Sequence, residues 1–288
     1  MSGTGEWGDW IGREERREDI LTPSLAARWC ATFDRDMPSG LEMPQAIHLC
    51  LCPPDAATAQ LGEDGHPSRG DDPAGFLPPI PLPRRMWTGS TMTFHAPIRI
   101  GSPIVKRSTI GSIEPKQGKR GAMVFVGIDH TIFAEGKQAV LERQTLVYLE
   151  AVAPDAPPVP PEPTSEAFDA DAWDETTMIR PDERLLFRYS ALTFNTHRIH
   201  YDARYARAVE RYRGLVVHGP LLATLLLRFA QNDMQGNALS RFAFKAVSPA
   251  IAGEPLHLAV RREGMELALG AFAEDGRQVI EAQAAMRA

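Results

Sequence analysis

The segment Gly219–Ala230, GPLLATLLLRFA, constrains the fold more than any other part of this 288-residue chain. A glycine and a proline at its start are a common way to begin a helix. The helix they predict is apolar on nearly every side, so it must be buried. Strand-like runs follow it at 239–247, 256–262, 265–273 and 278–286. We therefore expect an antiparallel sheet that wraps around this helix.

The first half of the chain shows the same order of elements. Thr22–Phe33 has an N-cap residue, a proline at the first helical position and the apolar spacing of an amphipathic helix. Strand-like runs then follow at 90–97, 104–110, 122–128 and 139–149. The shared order predicts an α+β protein with two antiparallel sheets, each wrapped around a buried helix.

Two irregular segments interrupt these elements. Val152–Thr164 contains closely spaced prolines, which exclude a helix or a central strand and favour an extended connector. We therefore predict an N-terminal domain at 1–151, a proline-rich linker at 152–180 and a C-terminal domain at 181–288. The second segment, Asp64–Pro83, is predicted to be a long loop, and loops of this length often cover functional sites.

Composition excludes several classes of protein. The longest apolar runs fall short of the roughly 20 residues that span a bilayer, and the N-terminus lacks a secretory signal, so we expect a soluble, cytoplasmic protein without membrane contacts. The net charge of −6 and scattered basic residues argue against nucleic acid as a partner. The three cysteines form neither a disulfide framework nor a complete metal site. No glycine-rich nucleotide motif indicates a nicotinamide or flavin cofactor.

The segment Arg188–Asp202 and the residues just after it hold the densest group of reactive side chains. They are Asn195, His197, Arg198, His200, Tyr201, Asp202, Arg204 and Tyr205. Asn195 and His200 would lie about 140° apart on a straight helix, so they converge only across a turn that enters a helix. The cluster either lines an ordinary surface helix or forms a site. Zinc is disfavoured, because it needs a third protein ligand.

As a site, the cluster has the parts needed to hydrate an enoyl thioester. His200 can act as the base that takes a proton from water, and Asn195 can orient that water. The start of the helix at Gly219 offers free N–H groups for a thioester oxygen. Pro220 has no N–H, so the donor is Gly219 or a residue beyond Pro220.

Two motifs resemble those of a known family. Thr193–Asp202, TFNTHRIHYD, and Val216–Pro220, VVHGP, are similar to the paired motifs of the MaoC-like hydratases and dehydratases, which have a double hot-dog fold. The resemblance implies that His200 is the catalytic histidine and that Gly219 donates the oxyanion N–H. Asn195 stands where the family usually has a catalytic aspartate, His197 where it has asparagine, and Arg198 where it has proline.

The match extends to one branch of this family. Tyr189–Asp202 and Pro83–Gly89, PRRMWTG, are similar to the itaconyl-CoA and mesaconyl-CoA hydratases and the type 2 hydroxyacyl-thioester dehydratases. This implies that 1–151 is a hot-dog domain without the histidine motif and that 181–288 is the catalytic one. It also implies a homodimer. The loop residues Arg84–Trp87 either shape the acyl pocket or anchor the start of the first sheet.

The resemblance implies a hydratase that converts mesaconyl-CoA or itaconyl-CoA to citramalyl-CoA, with no cofactor beyond the coenzyme A of the substrate. A free substrate carboxylate needs a cation, and Arg85, Arg198 and Arg204 are the candidates. Trp87, His197 and His218 complete the predicted substrate-binding set. Two alternatives stay open: a 3-hydroxyacyl-thioester dehydratase of fatty-acid metabolism, and a non-catalytic acyl-CoA-binding protein.

Overall fold

The computed structural model describes residues 7–68, 75–118, 121–231 and 237–287. The α-helices are α1 Pro23–Thr32, α2 Glu183–Thr193, α3 Ala203–Ala208 and α4 Gly219–Ala230. The strands are β1 Glu14–Ile20, β2 Glu42–Met43, β3 Arg84–Phe94, β4 Ile98–Arg99, β5 Pro103–Gly118, β6 Gly121–Ala134, β7 Lys137–Leu149, β8 Glu175–Ile179, β9 Leu239–Ala246, β10 Leu256–Glu263, β11 Glu266–Ala273 and β12 Gln278–Met286. Among the described residues, no helix is long and apolar enough to cross a membrane.

Ten of the strands form one antiparallel sheet in the order β1-β5-β6-β7-β3-β9-β12-β11-β10-β8. The order is the same from the middle outward in both halves, so the halves are related by their topology. The two sheets expected from the sequence are therefore joined into one, because β3 pairs with β9 from Gly89–Lys245 to Thr93–Arg241. Gly89 permits this join, since a Cβ there would collide with the carbonyl oxygen of Phe244.

The two predicted helices form where the sequence places them. Thr22 caps α1 by accepting a hydrogen bond from the Leu25 N–H at 3.1 Å, and α4 spans the predicted Gly219–Ala230. Eight of the twelve α4 residues are buried, and the helix packs on β10 and β11. α4 is thus buried against the sheet, as we inferred from its apolar sequence.

Among its described residues, the first half has no counterpart of α4. By its place after the edge strand, α1 corresponds to α2, against which it packs. Where α4 would follow, the chain makes only the short 3-10 helix Ile47–Cys50. Prolines at 44, 53 and 54 bracket this turn and stop a longer helix from forming. The predicted buried helix is therefore α4 in the second half, and the corresponding place in the first half holds this 3-10 turn.

The predicted linker contains regular structure. β8, Glu175–Ile179, lies inside the segment 152–180, yet it pairs with β10 at the edge of the sheet. Val159 also forms a bridge with Tyr212. The ordered second half thus begins before 181, and one hydrophobic core contains residues of both halves, such as Trp29 and Phe242. The division into two domains stays a prediction.

β3 starts earlier than its sequence indicates. It begins at Arg84, which pairs with Leu149 of β7, and it has an irregularity between Trp87 and Gly89. The residues Arg84–Trp87 that we expected in a loop are therefore part of a strand. At Trp87 this strand passes beside the start of α4, because its carbonyl oxygen lies 3.6 Å from the Cβ position of Gly219. β3 thus connects the first half to the candidate site.

Candidate active site

A tight turn between α2 and a 3-10 helix brings the motif residues together. Phe194 ends α2 in the left-handed conformation, with a φ of 50°. The side-chain oxygen of Asn195 then accepts a hydrogen bond from the His197 N–H at 2.8 Å, and the 3-10 helix Arg198–His200 follows. Asn195 and His200 are thus joined across a turn that enters a helix, as the sequence required.

His200 is buried and fixed in one tautomer. Its Nδ1 lies 2.7 Å from the carbonyl oxygen of Val216, so Nδ1 carries the proton and donates it. Burial lowers the pKa of His200 well below its ordinary value, and the neighbouring His218 and His197 lower it further. The imidazole is therefore neutral, and Nε2 has a free lone pair. No described residue hydrogen-bonds to that Nε2.

Four histidines form a row through the site. The ring centroids are 4.1 Å apart for His66 and His197, 5.4 Å for His197 and His200, and 3.6 Å for His200 and His218. His218 Nε2 lies 2.9 Å from the Ser190 hydroxyl. Burial lowers the pKa of His218 to about 3, so this ring, which stacks on His200, is neutral as well.

A buried ion pair lies behind the row. Glu210 Oε1 is 3.7 Å from His197 Nε2, and Glu210 Oε2 accepts a hydrogen bond from Arg84 Nε at 2.7 Å. The Glu210 side chain is 3% exposed. Burial acts to raise the pKa of Glu210, but the contacts with His197 and Arg84 outweigh it, and the pKa lies below its ordinary value. Glu210 is therefore a charged carboxylate inside the protein.

The beginning of the predicted long loop packs on the motif segment. The Thr196 hydroxyl donates to the carbonyl oxygen of Gly65 at 2.5 Å, and the Arg198 N–H donates to that of Asp64 at 2.9 Å. A Cβ on Gly65 would overlap the carbonyl oxygen of Thr196. This close contact holds His66 against His197. Residues 69–74 of the loop lie outside the described part.

The start of α4 lies next to the row of histidines. His218 is the residue before the helix, and it stacks on His200. The N–H groups of Gly219 and Leu221 have no acceptor among the described residues. The predicted oxyanion donor and the predicted base are therefore close neighbours.

The remaining predicted residues have different surroundings. Trp87 Nε1 donates to the Gly89 carbonyl at 3.0 Å and the Ser90 hydroxyl at 2.9 Å. Arg198 is held by Asp202 at 2.7 Å and by the Glu63 carbonyl at 3.0 Å. Arg204 is exposed on α3, which separates it from the buried row.

Arg85 differs from these two arginines. It is half-buried and makes no ion pair with any described residue. Its charge acts on His66, whose pKa is lowered to about 3 by burial and, after that, by Arg85. Arg85 therefore lies within electrostatic reach of the histidine row and has a guanidinium free to bind an anion.

Asp64, His66 and His197 could also hold a divalent cation. Their ligand atoms lie within 4.8 Å of one another, and two histidines with one carboxylate are a set that zinc accepts. However, His66 Nδ1 already hydrogen-bonds to Asp64 at 3.0 Å, and the positive Arg85 opposes a cation there. The hydrogen bond explains this cluster without a metal.

Sequence reasoning missed His66, Ser190 and Glu210. Gly65 between Asp64 and His66 marks a tight turn, which could have drawn attention to His66. Glu210 gives no such signal, because its partner Arg84 is 126 positions away in the chain. The ion pair exists only after β3 has joined the two halves.

The sequence of this chain matches a family of known proteins. The family model described as "Hydroxyacyl-thioester dehydratase type 2" matches residues 46–252. The chain belongs to this MaoC-like family of dehydratases and hydratases, and the resemblance noted in its motifs is confirmed. The family match also makes the chain an enzyme of the hydro-lyase class.

Individual proteins are similar to this chain over most of its length. The mesaconyl-C(4)-CoA hydratase of Chloroflexus aurantiacus is 39% identical over 286 residues, with 97% of both chains covered. The mitochondrial hydroxyacyl-thioester dehydratase type 2 of Schizosaccharomyces pombe is 26% identical over 266 residues, with 82% of both covered. A double hot-dog protein of Mycobacterium tuberculosis aligns with a TM-score of 0.57 at 13% identity, covering 96% of each chain. The predicted double hot-dog fold is thus confirmed.

Proposed function

We propose that this protein adds water reversibly to the double bond of a branched C5-dicarboxylyl-CoA, converting mesaconyl-CoA or itaconyl-CoA to citramalyl-CoA. One observation carries the proposal. A neutral, buried histidine, His200, keeps Nε2 free beside a helix start with unpaired N–H groups at Gly219 and Leu221. The 39% identity to a mesaconyl-C(4)-CoA hydratase supports the choice of substrate.

The proposed reaction uses these groups in turn. His200 Nε2 takes a proton from water as the hydroxyl adds to the β-carbon, a role worth about 10²–10⁴-fold in rate. In mesaconyl-CoA, whose double bond is conjugated with the thioester, negative charge develops on the thioester oxygen and is stabilised by the Gly219 N–H, for which one donor contributes roughly 2.7–4 kcal/mol. The Asn195 oxygen already accepts from His197. The amide N–H groups of Asn195 are therefore the ones that orient the water.

The substrate carboxylate restricts the choice of cation. In mesaconyl-CoA the free carboxylate is attached to the β-carbon, the same carbon that receives the hydroxyl. Its cation must therefore lie near His200. Arg198 is already bound to Asp202 and Arg204 is exposed, so we assign this role to Arg85. Trp87, His197 and His218 are the proposed neighbours of the acyl group.

The proposed reaction needs no cofactor besides the coenzyme A that the substrate carries. We also propose that the protein acts as a homodimer in the cytoplasm, without a nucleic-acid or membrane partner. The dimer follows from the family resemblance, and the net charge of −6 supports the absence of nucleic acid.

A direct comparison of substrates tests the proposal. Mesaconyl-CoA, itaconyl-CoA and crotonyl-CoA are supplied to the wild-type protein. Hydration of mesaconyl-CoA and crotonyl-CoA is followed by the loss of enoyl-thioester absorbance. The double bond of itaconyl-CoA is not conjugated with the thioester, so its hydration is followed by chromatography of the citramalyl-CoA formed. We expect the dicarboxylyl substrates to be hydrated with the higher kcat/KM. A large preference for crotonyl-CoA would refute the assignment of a dicarboxylate.

The match to type 2 dehydratases favours a second candidate, the dehydration of 3-hydroxyacyl thioesters. Incubation with 3-hydroxybutyryl-CoA distinguishes the two, because this candidate predicts that enoyl absorbance appears faster than citramalyl-CoA is dehydrated. If the protein binds acyl-CoA but turns over none of these thioesters, it is a binding protein.

A further inference from the structure

We propose that His197, paired with the buried carboxylate of Glu210, is a second proton-transfer group of this site and delivers the proton to the α-carbon. The inference rests on the proposed hydration, and it assigns the acid that Asn195 cannot provide. An amide side chain does not ionise, and its oxygen is already occupied by the His197 N–H at 2.8 Å. The proton for the α-carbon must therefore come from another group.

The position of His197 fits this role. Its ring is 5.4 Å from that of His200 and nearly perpendicular to it, at 89°. It is 5% exposed, and its Nε2 is buried without a hydrogen-bond partner among the described residues. Glu210 Oε1 lies 3.7 Å from this Nε2. A proton on Nε2 would face a carboxylate oxygen directly.

The charges around His197 favour that proton. Arg84 from β3 binds Glu210 through Oε2, which leaves Oε1 facing His197. The His66 ring lies 4.1 Å from that of His197, tilted by 36°, and is itself hydrogen-bonded to Asp64.

The neutral His200 and the neutral His218 also lie near His197, and Arg85 acts on the neighbouring His66. An ionised carboxylate beside a desolvated imidazole stabilises its charged form. His200, by contrast, has other imidazoles near it and stays neutral. His197 thus faces a carboxylate, whereas His200 is hydrogen-bonded to the uncharged Val216 carbonyl.

Two protons move during the proposed hydration. Water loses a proton to His200 Nε2 while its oxygen bonds to the β-carbon, and the electron pair of the double bond moves onto the thioester oxygen. The doubly protonated His197 keeps its Nε2 proton towards Glu210 and gives its Nδ1 proton to the α-carbon, as the thioester carbonyl forms again. His200 ends protonated and His197 neutral. Transfer of one proton between them through solvent restores the start.

The protonation of His197 can be observed in a folded, active chain. The substitutions His95→Gln and His257→Gln remove the histidines that are exposed or partly exposed and lie outside the site. Six buried or partly buried histidines remain: His48, His66, His130, His197, His200 and His218. In ¹⁵N-histidine NMR spectra at pH 6 we expect one doubly protonated imidazole. The pKa of each of the other five histidines is lowered, and burial is the main cause. The absence of any protonated imidazole would overturn the proposal.

Kinetics provide the second test. His197→Gln should lower kcat for hydration by about 10²–10⁴-fold and remove the fall in rate at high pH, since that fall reports loss of the acid's proton. His257→Gln is the matched control, because it removes a histidine that pairs with a glutamate, Glu274, at 3.2 Å on the exposed surface. The control should keep the wild-type rate and pH profile. A folded His197→Gln protein that keeps the rate or the high-pH fall would contradict the role.

These results separate the inference from the proposed function. If wild type hydrates mesaconyl-CoA and His197→Gln does so equally well, the function stands and His197 is not the acid. If wild type hydrates no enoyl thioester, the function fails, and the NMR spectrum still shows whether His197 carries the charge. If His197→Gln does not fold, the NMR spectrum of the active chain still tests whether His197 carries the proton.

Discussion

Replacing Arg84 by methionine tests the buried ion pair on which the site is built. Arg84 Nε lies 2.7 Å from Glu210 Oε2, and Arg84 Nη2 donates to the Tyr212 hydroxyl at 3.1 Å. Methionine keeps most of the apolar contact and removes the charge. Among the described residues, Glu210 then keeps only its contact with His197 at 3.7 Å, and removing one partner of a buried ion pair costs up to about 3–5 kcal/mol.

Urea denaturation at pH 7 measures this loss, with Arg99→Met as the control. Arg99 pairs with Glu42 at 2.8 Å, close to the 2.7 Å between Arg84 and Glu210, but the side chains of Arg99 and Glu42 are 53% and 46% exposed. A surface pair contributes about 0–1 kcal/mol. Arg84→Met should therefore be destabilised well beyond Arg99→Met, and adding Glu210→Gln to Arg84→Met should restore part of the loss.

The loss of stability in Arg84→Met should depend on pH. In wild type the pKa of Glu210 lies below its ordinary value, so its stabilisation is present above about pH 4.3 and is lost as the pH falls further. In Arg84→Met the lowering by Arg84 is lost while that by His197 remains, so the pKa of Glu210 should be higher than in wild type, and protonation relieves the cost as the pH falls. The difference in unfolding free energy should shrink from pH 7 to pH 4.5. A difference below about 1 kcal/mol at pH 7 would refute the reasoning.

Three further predictions follow from other parts of the structure. Gly65→Ala and Gly101→Ala both place an alanine in the left-handed region, at φ +85° and +91°, which costs about 1–2 kcal/mol. Only the Gly65→Ala side chain also meets a backbone oxygen, so this variant should unfold at a lower urea concentration and lose activity. Equal effects of the two substitutions would contradict the packing. Burial lowers the pKa of His48 and His218 to about 3, so the free energy of unfolding measured in urea should fall by about 2 kcal/mol for each histidine from pH 7 to pH 5; a flat profile would exclude this. Arg85→Met should lower kcat/KM for mesaconyl-CoA about 10- to 100-fold and spare crotonyl-CoA, with Arg99→Met as the control; equal losses on both substrates would contradict the carboxylate role.

Local sequence determined which elements could be predicted. The bounds of α4 and the Thr22 cap follow from residues that are neighbours in the chain, so the sequence was sufficient. The pairing of β3 with β9 depends on strands some 150 positions apart, and no local pattern encodes it. The short turn Ile47–Cys50 could have been anticipated from its flanking prolines, since they limit any helix there.

The same distinction holds within the site. His197, His200 and Asn195 come from one segment, and Gly219 follows His218 directly, so the motifs locate them. His66 reaches the row through a contact between Gly65 and Thr196, 131 positions apart. The arginine most suited to a carboxylate emerges only when the partners of the other arginines are known, because Arg198 is already bound to Asp202.

The central claim is that His200 takes the proton from water during hydration of mesaconyl-CoA. Replacing His200 by glutamine removes this base and keeps a polar side chain that can hydrogen-bond to the Val216 carbonyl. The measurement is the rate of loss of enoyl-thioester absorbance, together with mesaconyl-CoA affinity by titration calorimetry. We expect kcat to fall about 10²–10⁴-fold with affinity nearly unchanged. Hydration by His200→Gln within tenfold of wild type would contradict the account.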